Sequence, residues 1–224
     1  MVRPSETILI DGPAGPVQIL VDEPDQVRGL AIVAHPHPLF GGANNNKVVY
    51  TLAHTLRDLG YLALRPNFRG VGRSAGTHDL GQGETDDLVA VLDHAIKRWD
   101  PACALPVVLA GFSFGAFVQT QVAKRLADSG RPLARLVLVG TAVGQVENTR
   151  DYQPPPIPRD SLLIHGDNDE VVPLQNVVAY AEANNLTVTV VPGADHFFHG
   201  RLNLIRAIIE QAWATPPAIG LAAR

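Results

Sequence analysis

The amino-acid sequence predicts an α/β protein with a mostly parallel central sheet, an N-terminal antiparallel hairpin and helices on both faces. Short runs of consecutive apolar residues, such as 29–34, recur along the chain, which is typical of strands buried on both faces. Stretches with apolar residues at helical spacing, such as 88–99, lie between them, and this alternation indicates a parallel sheet. Residues 111–115, which begin and end with glycine, join one apolar run directly to a helical pattern. A sharp strand-to-helix turn is therefore expected in the middle of the sheet.

The individual elements follow from the same patterns, taken in chain order. The first two strands form a hairpin, because the turn residues Asp11-Gly12-Pro13 separate them. Residues 44–46 are three asparagines that cap the first helix, and Gly60 suits its C-terminal end. The predicted strands are 7–10, 17–21, 29–34, 61–64, 105–110, 133–139, 161–164 and 186–191. The predicted helices are 49–59, 88–99, 116–126, 174–183 and 199–213.

Two long loops are expected between these elements. Residues 70–83 form a glycine-rich loop, and residues 140–160 form an irregular, proline-rich one. Because prolines interrupt 140–160 and it has no apolar periodicity, we expect no sizeable lid. No linker or internal repeat divides the chain, so residues 1–224 are expected to form one domain, with residues 214–224 as a loose tail.

Composition narrows the classes of function. Of the 224 residues, 46% are hydrophobic and 18% are charged, and the formal net charge is -4. Nucleic acid and anionic membranes are therefore poor candidates as partners. The single cysteine excludes an internal disulfide, and no apolar run reaches the roughly 18 residues that a membrane helix needs. The polar N-terminus has no apolar signal segment, so we expect a soluble cytoplasmic protein; its oligomeric state is left open.

Residues 111–115, Gly-Phe-Ser-Phe-Gly, fit the G-x-S-x-G pattern of a nucleophile elbow. In so tight a turn, side chains at both flanking positions would collide, so glycine is required there. The turn raises the hydroxyl of Ser113 above the sheet and directs the first N–H groups of the next helix towards the atom that the serine attacks. The pattern alone also fits a structural turn without chemistry, so the interpretation depends on the loops that follow.

Two later loops supply the acid and the base that a serine nucleophile needs. The loop 165–173 follows a predicted strand and contains three acids, and the loop 191–199 follows the last strand and contains two histidines. These candidates are Asp167, Asp169 and Glu170 for the acid, and His196 and His199 for the base. Each loop alone is compatible with ordinary turn chemistry. Together they follow the serine in the order acid, then histidine, which predicts a catalytic triad and leaves the choice within each loop open.

These motifs resemble those of the α/β-hydrolase fold superfamily over nearly the whole chain. The resemblance rests on the elbow at 111–115, on H-G-x-x-D-x-x-V-P at 165–173 and on A-D-H-F-F at 194–198. Within the superfamily, H-P-H-P-L-F-G-G at 35–42 and N-F-R-G-V-G-x-S at 67–74 are similar to the small lidless bacterial serine esterases. The resemblance implies the α/β-hydrolase fold and hydrolysis of a carboxylic ester.

The same resemblance assigns catalytic roles. It implies that Ser113 is the nucleophile, that Asp169 is the acid and that His196 is the base. Ser113 would attack the carbonyl, form an acyl-enzyme and release the acid to water, without a cofactor. We expect no metal either, because His35 and His37 have no evident third ligand.

An oxyanion hole needs two backbone N–H donors. Phe114, directly after the nucleophile, is expected to supply one of them. The other should come from the loop after residue 34, in which Pro36 and Pro38 have no N–H to give. His37 aligns with the residue that donates in the family, so we expect the N–H of His37, with that of Leu39 as the second choice.

The site is expected to be open and to bind a small-molecule ester. Leu39, Phe40 and Phe197 are the predicted substrate contacts, whereas core packing is the better interpretation of Phe198. Phe114 would also border the entrance. An open entrance favours short-chain or aromatic acyl esters, and an acyl thioester is the alternative substrate because the same machinery serves both.

Other interpretations are less consistent with the sequence. Residues 70–75 match the dinucleotide fingerprint G-x-G-x-x-A, but more loop follows where that motif requires a helix. Epoxide hydrolases and dehalogenases use a carboxylate where this chain has Ser113. A non-catalytic binding protein of the same fold usually lacks a triad member, and none is missing here.

Overall fold

The computed structural model describes residues 4–146 and 150–214. Its strands are β1 Glu6–Gly12, β2 Gly15–Asp22, β3 Gly29–Ala34, β4 Tyr61–Pro66, β5 Val107–Phe112, β6 Arg135–Val139, β7 Gly144–Val146, β8 Arg150–Tyr152, β9 Leu162–Gly166 and β10 Val188–Val191. Its helices are α1 Lys47–Asp58, α2 Gln82–Trp99, α3 Phe114–Asp128, α4 Leu174–Asn184 and α5 Leu202–Ala214, and a short 3₁₀ turn spans Pro38–Phe40.

Eight strands form one sheet in the order β1-β2-β4-β3-β5-β6-β9-β10. The strands from β4 to β10 in this order run parallel, whereas β1 and β2 form an antiparallel hairpin and β2 runs antiparallel to β4. The predicted fold class, a mostly parallel sheet preceded by a hairpin, is therefore confirmed. β5, the strand that leads into the elbow, lies in the interior of the sheet.

Helices cover both faces of the sheet, because the central strands are apolar on both sides. In β3, Leu30 and Ile32 face one apolar layer, and Ala31 and Val33 face the other. Apolar residues of α2, α3 and α4 complete the first layer, and those of α1 and α5 complete the second. The continuous apolar runs in the sequence are thus strands with two buried faces.

The ends of the helices agree with the capping residues in the sequence. The side chain of Asn46 accepts hydrogen bonds from the N–H groups of Val48 and Val49 at the start of α1. Gly60 follows the end of this helix with φ +94°, a conformation that glycine adopts without strain. Asn46 is therefore the member of the asparagine cluster that caps α1.

The structure differs from the prediction mainly in residues 140–160. This stretch was expected to be irregular, but β7 and β8 pair within it as an antiparallel hairpin. Three-residue strands are too short to produce a recognisable alternation in a sequence, which explains the difference. The described residues between β6 and β9 contain no helix.

Smaller differences concern the ends of elements and the chain terminus. α2 begins at Gln82, inside the predicted loop 70–83, and α5 begins at Leu202 rather than at His199. α5 also includes Ala214, the first residue of the predicted tail, while residues 215–224 lie outside the described residues. Among the described helices, none combines the length and the apolar character required to cross a membrane.

Candidate active site

Ser113 lies in a strained turn between β5 and α3. Its φ is +56° and its ψ is -120°, a conformation that costs on the order of 1–3 kcal/mol outside glycine. A Cβ atom on Gly111 would lie 2.5 Å from the carbonyl oxygen of Gly115, and one on Gly115 would lie 2.4 Å from that of His35. Side chains at either position would therefore collide with backbone, as the motif predicts.

The loops after β9 and β10 bring an acid and a histidine to this serine. Nε2 of His196 is 3.0 Å from Oγ of Ser113, and Nδ1 of His196 is 2.7 Å from Oδ2 of Asp169. All three residues are buried. The ring of His196 packs on that of Phe112, the last residue of β5, with 4.9 Å between their centroids. The structure thus brings together the serine, the histidine and the acid that the resemblance singles out.

Asp169 is held by its own loop. Its Oδ1 atom accepts hydrogen bonds from the N–H groups of Val171 at 2.9 Å and Val172 at 2.8 Å. This arrangement leaves Oδ2 directed at the imidazole of His196. A carboxylate fixed in this way orients the imidazole and determines which ring nitrogen carries the proton.

His165, which the sequence analysis did not single out, also supports the acid. Its Nε2 atom is 2.9 Å from the carbonyl oxygen of Val172 and 3.4 Å from Oδ2 of Asp169. Burial lowers the pKa of the His165 imidazole, although the charge of Asp169 opposes this shift. His165 is the first residue of the H-G-x-x-D motif, so the signal was present in the sequence.

The remaining acid and base candidates lie apart from the serine. Asp167 and Glu170 are exposed, and Oδ1 of Asp167 accepts the N–H of Gly193 at 2.6 Å. The side chain of His199 is 71% exposed, and its Nδ1 atom pairs with Asp195 at 2.6 Å. The geometry of the two loops therefore distinguishes between candidates that the sequence alone left open.

The two predicted oxyanion donors line the same cavity as Ser113. Phe114 is the first residue of α3, and neither its N–H nor that of His37 donates a hydrogen bond to any described residue. The N–H of Leu39, in contrast, donates to Nδ1 of His37 at 3.3 Å. Phe114 and His37 thus have backbone N–H groups available at the cavity, and Leu39 does not.

Two neutral histidines shape the loop that carries His37. Nδ1 of His35 contacts the carbonyl oxygen of Pro36 at 2.7 Å, and its Nε2 atom accepts the N–H of Phe68 at 2.9 Å. Burial lowers the pKa of His35 to about 4. Burial, followed by the charges of His78 and Arg150, also lowers the pKa of His37 to about 4. Within the described ranges, no group of three or more His, Cys, Asp and Glu residues could hold a metal ion.

The cavity at Ser113 has a volume of about 220 Å³. Phe40 and Phe197, which are 67% and 45% exposed, line it, whereas Leu39 is 69% exposed and lies outside the lining. Phe198 is fully buried in the second apolar layer, between the sheet and helices α1 and α5, in agreement with its interpretation as a core residue. The hairpin of β7 and β8 supplies a wall that the sequence analysis missed: Val146, Arg150 and Tyr152.

The glycine-rich loop forms hydrogen bonds with neighbouring segments next to the site. The hydroxyl of Ser74 donates to the carbonyl oxygen of Asn67 and accepts the N–H of Gln18. The side chain of Asn67 in turn accepts the N–H of Asn44, in the loop that precedes α1. No helix opens at residues 70–75, so the structural context of a dinucleotide fingerprint is absent from this part of the chain.

A family model and similar solved structures both point to serine hydrolases. A family model described as serine aminopeptidase, S33, matches residues 25–160. An alpha-beta serine hydrolase homologue from Coxiella burnetii is 38% identical, with a TM-score of 0.80, and the match covers 94% of this chain and 99% of that chain. A structure from Xanthomonas campestris, described as an a/b serine hydrolase without lid, is 36% identical, with a TM-score of 0.80, over 97% of this chain and 98% of that chain. An uncharacterized protein of Rickettsia prowazekii is 36% identical over 176 residues, which are 75% of this chain and 71% of that protein.

Proposed function

Since this chain belongs to the α/β serine hydrolase family, we propose that it cleaves carboxylic esters through an acyl-enzyme formed on Ser113. Family membership makes the protein a hydrolase and confirms the resemblance drawn from its motifs. The ester substrate and the roles of the residues are our proposal. The observation that supports them best is the chain of hydrogen bonds from Ser113 through His196 to Asp169.

The mechanism follows from these contacts. Oγ of Ser113 attacks the ester carbonyl while its proton passes to Nε2 of His196, and Asp169 stabilises the imidazolium that forms. The N–H groups of Phe114 and His37 donate hydrogen bonds to the developing oxyanion. His196 then gives its proton to the leaving alcohol, which leaves an acyl group on Ser113.

Hydrolysis of the acyl-enzyme repeats these steps with water. His196 accepts a proton from the water molecule as its oxygen attacks the acyl carbonyl, and it returns a proton to Ser113 as the carboxylic acid departs. The proposed reaction uses no cofactor. A cytoplasmic location and a small-molecule partner remain predictions from the sequence.

The lining of the cavity favours an ester over a peptide with a free N-terminus. The matching family model is described as serine aminopeptidase, and the terminal ammonium group of an aminopeptidase substrate would need a nearby carboxylate. None of the described residues that line the cavity is Asp or Glu, and Arg150 gives the lining a positive charge. A small cavity bordered by exposed Phe40 and Phe197 suits short-chain or aromatic acyl groups. The same machinery would also accept an acyl thioester, which is the second candidate.

A panel of substrates tests this proposal. We expect turnover of p-nitrophenyl esters, with highest kcat/KM for short-chain or aromatic acyl groups and lower values for acyl-CoA thioesters and amino-acid p-nitroanilides. The variant Ser113→Ala should lose ester turnover, while Ser129→Ala, which alters an exposed serine at the end of α3, should retain it. Near wild-type turnover by a pure, folded Ser113→Ala protein would contradict the proposed nucleophile.

The panel also tests the predicted absence of a lid. An open entrance predicts no jump in rate when a long-chain ester exceeds its solubility limit. A rate that rises steeply with chain length and jumps at that limit would contradict an open entrance.

A further inference from the structure

The hairpin of β7 and β8 directs one cation into the cavity beside Ser113. Val146 pairs with Arg150 across the hairpin, and Tyr152 lies two residues further along β8. Side chains alternate between the two faces of a strand, so Arg150 and Tyr152 share a face. Both line the cavity, as Val146 does, whereas Asp151 between them is exposed. The alternation of side chains along the hairpin therefore places Arg150 in the lining of the cavity that contains Ser113.

An aromatic ring on the opposite loop positions the guanidinium group. The Cζ atom of Arg150 lies 4.3 Å from the centroid of the Phe40 ring, within the range of a cation–π interaction. Phe40 belongs to the 3₁₀ turn that follows His37, and it lines the same cavity. Arg150 thus reaches from the hairpin to the loop that carries the second oxyanion donor.

The charge of Arg150 stands out in this cavity. Among the described residues that line it, Arg150 is the one with a permanent charge, and the others are apolar, aromatic, glycine, histidine, serine or asparagine. A guanidinium has five N–H donors in a planar fork, so it can bind more than one partner at the same time. A cation in such surroundings interacts more strongly with an anion than it would in water.

We propose that Arg150 is a specificity-determining residue that binds a carboxylate on the acyl group of the substrate. This inference rests on the proposed ester hydrolysis and narrows the substrates to half-esters of short dicarboxylic acids. The volume of about 220 Å³ is small enough for a short acyl chain to contact both Ser113 and Arg150. Arginine matches a carboxylate with two parallel hydrogen bonds, which gives orientation as well as affinity.

A pair of esters that differ only in charge tests the proposal. Monomethyl glutarate carries a carboxylate, and the corresponding primary amide has the same shape without the charge. We expect wild-type kcat/KM, measured as methanol release, to be higher for the carboxylate by about tenfold or more, the scale of a hydrogen bond to a charged group. In Arg150→Gln this ratio should fall towards one, and Arg150→Lys should keep part of the preference because it retains the charge without the fork.

Arg159→Gln provides the matched control. It removes the same charge from an exposed residue outside the cavity lining, so it should keep the wild-type ratio. A ratio that is unchanged in Arg150→Gln would overturn the inference and would assign Arg150 to structural packing on Phe40. Circular dichroism establishes that each variant is folded, and Arg150→Lys provides the comparison if Arg150→Gln is not.

The outcomes separate this inference from the proposed function. A wild-type protein that hydrolyses neutral esters without preferring the carboxylate would overturn the role of Arg150 alone. A wild-type protein that hydrolyses no ester would overturn the proposed function, and the binding of glutarate then decides the role of Arg150. By isothermal titration calorimetry, we expect glutarate to bind wild type about tenfold or more tightly than Arg150→Gln. Equal affinities would overturn the proposal.

Discussion

Asp169 shows how position within one loop separates two identical side chains. Asp169 is buried and directs Oδ2 at His196, while its Oδ1 atom is held by two backbone N–H groups. Asp167, two residues earlier, is exposed and accepts the N–H of Gly193. Both residues follow β9, so the difference arises from the path of the turn rather than from residue type.

This difference predicts unequal effects of the same substitution. Asp169→Asn should lower kcat for a p-nitrophenyl ester by about 10⁴-fold, because an amide favours the wrong tautomer of His196. Asp167→Asn, the matched control in the same loop, should stay close to wild type. Steady-state kinetics of both purified variants measure the effect. If Asp167→Asn is the more damaging of the two, the acid has been misassigned.

At the scale of elements, His35 joins the loop after β3 to the loop after β4. It accepts the N–H of Phe68 and contacts the carbonyl oxygen of Pro36, so the backbone that leads to His37 is tied to the neighbouring strand end. Both contacts need a neutral imidazole with its proton on Nδ1. Protonation of His35 would remove the acceptor for Phe68, and burial opposes that protonation.

This connection predicts a dependence of stability on pH. Burial lowers the pKa of His35 from 6.5 to about 4, so between these values the unfolded chain binds a proton that the folded chain does not. The contribution of His35 to the free energy of unfolding should be at its maximum above pH 6.5 and should fall by about 3 kcal/mol as the pH drops to about 4. Urea denaturation of wild type and His35→Gln over this range measures the change, since glutamine does not titrate.

The prediction concerns how steeply the free energy of unfolding falls with pH in each protein, not its absolute value. His35→Gln should lose less stability than wild type between pH 6.5 and 4, even if it is less stable at every pH. Parallel curves for the two proteins would show that a protonated His35 is accommodated in the fold, contrary to this account.

For the whole molecule, the site forms where the carboxyl ends of parallel strands meet. The loops after β3, β5, β9 and β10 contribute His37, Ser113, Asp169 and His196 to one edge of the sheet. Most of this arrangement could be predicted, because the apolar runs identified the central strands and parallel strands expose their carboxyl ends together. The elbow glycines were equally predictable, since their lack of a side chain follows from the tightness of the turn.

The features of the site that the sequence did not predict depend on contacts between residues far apart in the chain. Apart from the family motif, nothing in the local residues distinguishes His196 from His199, because their difference lies in the path of the loop after β10. The hairpin of β7 and β8 was missed because its strands are short, and Arg150 was missed with it. Leu39 was expected to contact substrate, but it is exposed and does not line the cavity, whereas its neighbour Phe40 does. Loop conformation therefore limits what the sequence predicts about the cavity wall.

The central claim is that Ser113 is a nucleophile activated by His196. Peptide mass spectrometry after reaction with a fluorophosphonate tests it most directly, because this reagent stays bonded to an activated serine. We expect one phosphonyl adduct per chain, located on Ser113, absent in Ser113→Ala and formed far more slowly in His196→Gln. An adduct on another residue, or an unlabelled Ser113 in a protein that still hydrolyses esters, would contradict the account.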